Sequence, residues 1–153
     1  MRLIYIFFIV VLFGASAYSE SDKNTVLNSI SSPNDTMQNI AGLSWHTQID
    51  KALNNAQKSH KNLIVMVGEE SCRWCKKMKE RTLIDPRIQN KLSNYVLVSV
   101  KRSDKKAVAH VPEFDGKIPS FFFIEKNGEV YDSVVGYYKA DDFLRYINEI
   151  EEL

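Results

Sequence analysis

The sequence predicts an α/β domain in which helices flank a central mixed β-sheet. Two apolar runs, NLIVMVG (62–68) and YVLVSVK (95–101), have the length and composition of strands that are buried on both faces. Asn127-Gly128 lies between the apolar runs SFFFIEK and EVYDSVVGY, which is the sequence pattern of a β-hairpin. Helical patterns precede, separate and follow these runs, and such a mixture is typical of layered α/β domains.

Four segments carry the helical patterns. Residues 44–61 have apolar side chains at helical spacing, and Ser44 is the expected N-cap. A second helix is expected to begin near the two cysteines and to end near Arg81. A third is expected to begin at Asp85-Pro86, because proline is favoured in the first helical turn. The last segment, ADDFLRYINEIEEL, places its apolar side chains on one face of a helix.

Residues 1–17 have the pattern of a secretory signal peptide. Arg2 precedes an unbroken apolar run from Leu3 to Phe13, and an A-x-A step follows, with cleavage expected after Ala17. The apolar run is shorter than the roughly 20 residues that a spanning helix needs. An uncleaved membrane anchor is the alternative interpretation. Export is therefore predicted, and the bacterial periplasm is the expected location.

The rest of the chain is predicted to contain a linker and one domain. Residues 18–42 are rich in Ser, Asn and Asp and are predicted to be a disordered polar linker before the folded domain, residues 43–153. The whole chain has 20 basic and 19 acidic residues, so the chain without Arg2 has a formal charge of zero. This balance predicts no nucleic-acid partner, and membrane contact only through an uncleaved N-terminal segment. The domain is expected to be a monomer.

Cys72 and Cys75 are the only cysteines of the chain, and their CxxC spacing suits three kinds of chemistry. Structural zinc usually takes four ligands, and the three histidines stand far apart in the sequence, so no metal is predicted. A purely structural disulfide would close a very short loop and would remove little entropy from the unfolded chain. A redox pair is favoured, because CxxC near a strand–helix junction is a known redox motif.

The position of Cys72 at the start of the predicted helix distinguishes the two sulfurs. Unpaired amides of the first helical turn and nearby positive charges such as Arg73 favour a thiolate at Cys72, which is predicted to be the nucleophile. Cys75 lies one turn further along and is predicted to resolve the mixed disulfide. Trp74, between the cysteines, either lines a docking surface for partners or packs on the helix.

The segment KIPSFFFIEKNGEV, residues 117–130, carries a second motif. An Ile-Pro-Ser step, an apolar strand and a Lys-Asn-Gly-Glu turn follow the CxxC pair in the order found in thioredoxins, and the chain resembles the thioredoxin superfamily. The resemblance implies a thioredoxin fold with a cis Ile118–Pro119 bond in a loop that faces the cysteines. Ile118 and Pro119 would then bind substrate, with the backbone of residue 118 pairing with an extended peptide.

Residues 43–153 are also similar to the C-terminal periplasmic domain of the electron transporter DsbD and its small thioredoxin-like relatives. The shared features are a Cys-Lys end to the motif and a Thr-x-x-Asp-Pro step. Those relatives place a buried Asp six residues before the first cysteine, where this chain has Met66. Glu69, Glu70 or water are the alternative proton acceptors for the resolving thiol.

Thiol–disulfide exchange through Cys72 and Cys75, with no other cofactor, is therefore the predicted activity. The resemblance favours a reductase whose partners are cysteine-containing exported proteins and a membrane or periplasmic electron donor. A disulfide-donating oxidase is one alternative. A non-catalytic thioredoxin-fold binding or chaperone module is another, although such a module would not need both cysteines.

Overall fold

A computed structural model of the protein describes residues 37–152, in which helices cover both faces of a six-stranded sheet. The predicted signal peptide and the predicted linker up to residue 36 lie outside the described residues. The strands are β1 (Met37–Ile40), β2 (Leu43–His46), β3 (Leu63–Gly68), β4 (Val96–Lys101), β5 (Ser120–Ile124) and β6 (Val130–Val135). The helices are α1 (Ile49–Ser59), α2 (Arg73–Lys77), α3 (Pro86–Leu92), α4 (Lys105–Val108) and α5 (Ala140–Glu151).

The sheet is mixed, with the strand order β1-β2-β4-β3-β5-β6. Strands β3 and β4 are parallel neighbours at its centre, and the hairpin of β5 and β6 joins the free side of β3 in antiparallel pairing. The two apolar runs predicted as buried strands form β3 and β4, and every residue of β3 is buried. The predicted mixed sheet with flanking helices and a hairpin at Asn127-Gly128 is thus confirmed.

Side chains along β3 alternate between two hydrophobic cores, as the pleat of a strand requires. Ile64 and Met66 belong to the first core, which α3, α5 and the segment after α2 cover. Val65 and Val67 belong to the second core, which α1 and α4 cover. Among the described residues, no helix is long and apolar enough to cross a membrane.

The first edge of the sheet differs from the prediction. The linker predicted to extend to residue 42 is wrong for residues 37–42, because Met37–Ile40 pairs in antiparallel register with Leu43–His46. Ala41 and Gly42 connect these strands with φ angles of 54° and 83°. Two consecutive positive φ angles are typical of a tight hairpin turn. A four-residue strand with polar residues has little hydrophobic pattern of its own, so its strand partner determines its conformation.

The first helix also begins later than predicted. Helical spacing predicts a helix from Ser44, but α1 begins at Ile49, and Trp45 is a fully buried residue of β2. The indole N–H of Trp45 donates a hydrogen bond of 3.2 Å to the carbonyl of Ile40. Burial of the large indole and its bond to β1 override the local helical preference, which contributes less than such tertiary contacts.

The chain that follows the cysteines is largely as predicted. Helix α2 continues directly into a π-helical turn, Met78–Thr82, so helical structure extends close to the predicted end at Arg81. Asp85 caps α3 by accepting a hydrogen bond of 2.9 Å from the backbone N–H of Arg87. The buried Thr82 hydroxyl donates a hydrogen bond to the carbonyl of Tyr138. This bond connects the π turn to the loop between β6 and α5.

Candidate active site

Cys72 and Cys75 form a disulfide at the start of α2, with their Cα atoms 5.2 Å apart. Cys72 is the N-cap of the helix, and its sulfur accepts a hydrogen bond of 3.0 Å from the backbone N–H of Cys75. Cys72 is partly exposed, whereas only 1% of Cys75 is exposed. Cys72 is therefore the sulfur that an incoming disulfide can reach.

The inner sulfur of the pair lies against the end of β3. A Cβ atom at position 68, where the chain has Gly68, would lie 3.5 Å from the Cys75 sulfur. Met66 is two residues earlier on the same face of the strand, is 1% exposed, and pairs with Ser99 of β4 and Phe121 of β5. The core below Cys75 thus contains a thioether at the position where the resemblance implies a buried carboxylate.

The carboxylates of Glu69 and Glu70 bind groups at the end of β4 and just after it. Glu69 accepts a hydrogen bond of 2.9 Å from the backbone N–H of Ser103, and Glu70 accepts one of 2.5 Å from the ammonium group of Lys101. The hydrogen bonds from Ser103 lower the pKa of Glu69, and the hydrogen bond from Lys101 lowers the pKa of Glu70. A lowered pKa makes each carboxylate a weaker base. Acceptance of the Cys75 proton by Glu69 or Glu70 stays a prediction.

Three residues predicted to bind substrate line one groove beside the disulfide. Trp74, Ile118 and Pro119 enclose a volume of about 250 Å³ together with Gly136 and Tyr137. The Ile118–Pro119 peptide bond is cis, which is the isomer that the resemblance implies. Gly136 has a φ of 109°, a conformation that favours glycine, and its N–H donates a hydrogen bond of 2.7 Å to the carbonyl of Pro119. This bond holds the end of β6 against the proline loop.

Tyr137 is the groove residue that the sequence pattern did not reveal. Its ring stacks on Trp74 with a centroid distance of 5.6 Å and an interplanar angle of 25°. Trp74 nevertheless remains 44% exposed, so it both packs on a neighbour and lines the groove. The available signal was weak, because nothing in the sequence near Tyr137 indicates that its ring stacks on Trp74.

Two cations lie against the stacked rings. The guanidinium carbon of Arg73 is 5.0 Å from the centroid of the Trp74 ring. The ammonium nitrogen of Lys77 is 5.0 Å from the centroid of Trp74 and 4.5 Å from that of Tyr137. These distances are within the range of cation–π attraction. The predicted influence of Arg73 on the pKa of Cys72 stays a prediction.

A disulfide at the start of a helix, next to a groove with a cis proline and beside a mixed sheet, defines a thioredoxin-fold thiol–disulfide oxidoreductase. The family model of the thioredoxin-like domain matches residues 49–151, and the chain belongs to the thioredoxin-like family. The redox group is the protein's own disulfide. Within residues 37–152, no group of three or more His, Cys, Asp or Glu side chains is arranged to hold a metal ion.

Solved structures with the same fold include redox proteins of several kinds. The oxidised C-terminal domain of DsbD from Neisseria meningitidis is 21% identical, with a TM-score of 0.57 over 66% of this chain and 91% of that chain. DsbH oxidoreductase is 16% identical, with a TM-score of 0.61 over 72% of this chain and 85% of that chain. A thioredoxin from Thermus thermophilus is 24% identical, with a TM-score of 0.57 over 68% of this chain and 84% of that chain.

No curated protein sequence matches the chain significantly. Because these solved structures are 16% to 24% identical to the chain, the matches establish the fold alone. The predicted thioredoxin fold and membership of the thioredoxin superfamily are confirmed.

In the reduced protein, Cys72 is expected to react with an alkylating agent before Cys75 near neutral pH. The expectation follows from the burial of Cys75 and from the hydrogen bond that the Cys72 sulfur accepts from the backbone N–H of Cys75. This hydrogen bond stabilises a thiolate at Cys72. Brief treatment with iodoacetamide followed by peptide mass spectrometry measures the order of labelling. Preferential labelling of Cys75 would overturn the assignment of the two sulfurs.

Proposed function

We propose that the protein is an exported reductase that transfers electrons from the Cys72/Cys75 dithiol to disulfides of other exported proteins. The observation that carries the proposal is the asymmetry of the two sulfurs, since Cys72 is partly exposed and Cys75 is buried. An exposed attacking sulfur with a shielded partner is the arrangement that a two-step exchange requires.

The reaction proceeds in two displacements. In the first, the Cys72 thiolate attacks one sulfur of the partner disulfide, a mixed disulfide forms, and the other partner sulfur leaves as a thiolate that takes up a proton. In the second, the Cys75 thiolate attacks the Cys72 sulfur and expels the second partner sulfur, which is likewise protonated. The partner gains two electrons and two protons, and the protein ends with the disulfide seen between Cys72 and Cys75.

The groove beside the disulfide binds the chain that carries the substrate cysteine. The stacked rings of Trp74 and Tyr137 line the groove, and so do Ile118 and Pro119. Apolar walls suit an unfolded or extended segment, and the backbone at residue 118 pairs with that segment as an added strand. In this proposal, Trp74, Ile118 and Pro119 bind substrate, Arg73 favours the Cys72 thiolate, and Glu69 or Glu70 assists proton transfer.

The direction and the location rest on different observations. The sequence features that residues 43–153 share with the electron-transporter domain, the Cys-Lys end of the CxxC motif and the Thr-x-x-Asp-Pro step, support the reductive direction. The signal-peptide pattern of residues 1–17 supports export, and we place the reaction in the periplasm. There a membrane or periplasmic electron donor would restore the dithiol, and cysteine-containing exported proteins would receive the electrons.

Reduction of insulin by dithiothreitol, followed as turbidity, tests the proposed activity. The wild-type protein is expected to accelerate the reaction, because Cys72 exchanges with the insulin disulfides and dithiothreitol regenerates the dithiol. The Cys72→Ser variant, which lacks only the attacking sulfur, is expected to give the rate seen without protein. If the wild-type protein gives no acceleration either, the chain is a binding module and the proposed function is wrong.

A further inference from the structure

Arg73, Trp74, Lys77 and Tyr137 form a surface beside the Cys72–Cys75 disulfide, which we name the aromatic–cation platform. Its rings are stacked and its two cations lie 4.5 to 5.0 Å from ring centroids. Both cations are exposed, and they are the first and last residues of α2, the short helix that Cys72 caps and that contains Cys75. Trp74 and Tyr137 of the platform line the groove, and Arg73 follows Cys72 directly in the chain, so a substrate held in the groove with its disulfide at Cys72 lies close to the platform.

The charges of the platform have no carboxylate partner in the described part of the chain. The nearby acids are engaged elsewhere: Glu70 pairs with Lys101, and Glu69 accepts hydrogen bonds from the backbone. Arg73 and Lys77 form no ion pair with any residue from 37 to 152. Each cation lies against an aromatic ring, which leaves its N–H groups without a carboxylate acceptor. They can therefore donate to an acceptor that a ligand brings.

We propose that the aromatic–cation platform selects substrate disulfides whose cysteines lie next to acidic residues. The inference rests on the proposed function and names the chemistry of its substrates. Arg73 and Lys77 would pair with carboxylates of the substrate, while Trp74 and Tyr137 cover the apolar part of the same segment. A carboxylate paired with an Arg or Lys that already lies over an aromatic ring gains attraction without ordering a free side chain.

The position of the platform determines which substrate residues it can contact. Residues of an extended chain are about 3.3 Å apart. The Cα atoms within two residues of the substrate cysteine therefore lie within about 7 Å of the Cα atom of that cysteine. The two cations are one and five residues from Cys72 along the helical segment. Acidic residues immediately beside the substrate cysteine are thus the ones expected to matter.

Three synthetic peptides of equal length test this preference. Each contains one cysteine and is used as its symmetrical disulfide, with two Glu, two Gln or two Lys beside the cysteine. The reduced protein converts one peptide disulfide into two peptide thiols and is itself oxidised to the Cys72–Cys75 disulfide. Each second-order rate constant is divided by that of dithiothreitol with the same peptide, which removes the effect of the flanking charges on the peptide sulfur.

The acidic peptide is expected to react about three- to tenfold faster than the basic one at low ionic strength, which is the range that two exposed charge pairs provide. In 1 M salt the ratio should fall toward one, because the screening length shrinks to about 3 Å. Equal normalised rates for the three peptides at low salt would overturn the inference. Reaction with none of them would instead overturn the proposed function, so the two failures are distinguishable.

Substitutions at Lys77 separate docking from any change in the reactivity of Cys72. Lys77→Gln should lower the acidic-to-basic rate ratio, and Lys77→Glu should bring it below one. A change in the pKa of Cys72 alters all three rates by the same factor and leaves the ratio unchanged. Lys58→Gln is the matched control, because Lys58 is exposed on α1 at the opposite face of the sheet. A ratio that Lys77→Glu leaves at the wild-type value would contradict the inference.

Discussion

The Cys75→Ser variant is expected to accumulate mixed disulfides with its partners, whereas the Cys72→Ser variant is not. With Cys75 replaced, the Cys72 thiolate still attacks a partner disulfide, but nothing within the protein expels the partner sulfur. With Cys72 replaced, the remaining sulfur is the one that is only 1% exposed, so it cannot reach the disulfide of a folded protein. Turnover of insulin should fall to the rate without protein in both variants.

Non-reducing gel electrophoresis after rapid acid quenching and alkylation measures the trapped species. Wild-type protein provides one control and the double Cys→Ser variant the other, since the latter can form no disulfide. Trapping by both single variants to the same extent would contradict the order of attack. It would also mean that the burial of Cys75 does not protect it from partners.

Met66→Asp is expected to accelerate the resolution of the mixed disulfide near neutral pH and to destabilise the fold. In the wild-type protein, Met66 lies on the face of β3 that Gly68 turns toward Cys75. Its thioether cannot accept the proton of the resolving thiol. Resolution should therefore be slow near neutral pH and should speed up toward an ordinary thiol pKa of about 8.5. A carboxylate at position 66 would supply a buried proton acceptor in addition to Glu69 and Glu70.

The same substitution introduces a carboxyl group into the core between β4 and β5. Because position 66 is almost fully buried, the free energy of unfolding should fall by on the order of 3 kcal/mol. Burial raises the folded-state pKa of the new carboxyl above its unfolded value of about 3.9. The folded state then binds more protons than the unfolded state as pH rises from that value. The loss of stability therefore grows until the pH reaches the raised pKa.

Stopped-flow reaction of the reduced protein with an aromatic disulfide that releases a coloured thiolate resolves the two steps. The first release reports attack by Cys72, and the second reports resolution by Cys75. Met66→Asn is the matched control, because it places a polar group of similar size in the core without a carboxylate. A wild-type resolution rate that is flat between about pH 6 and 9 would show that another base already serves Cys75, because an unperturbed thiol titrates in that interval.

The central strands and the cysteine pair could be predicted because their signals are local. A run such as LIVMV has no polar face, so it fits a strand buried on both sides, and Asp85-Pro86 contains both the cap and the first residue of α3. The burial of Cys75 follows from its position one turn into a helix that packs on the sheet. These features depend on few residues that are close together in the chain.

The features that could not be predicted arise from contacts between distant segments. Strand β1 exists because it pairs with β2, and Trp45 is buried there although its spacing fits a helix. The aromatic–cation platform joins α2 to Tyr137, about 60 residues later, through a stack that only the fold creates. Helix α4 is a single short turn capped by Asp104, with too little pattern to predict.

The equilibrium reduction potential of the Cys72/Cys75 pair, measured against glutathione by titration and alkylation, tests the reductase account most directly. The potential expresses how strongly the protein holds its dithiol in the reduced form, so it determines the direction of net electron flow to a partner. A reductase requires a value near that of thioredoxin, about −270 mV, and we predict a value in that region. A value near about −120 mV, typical of a strong disulfide donor, would contradict the account.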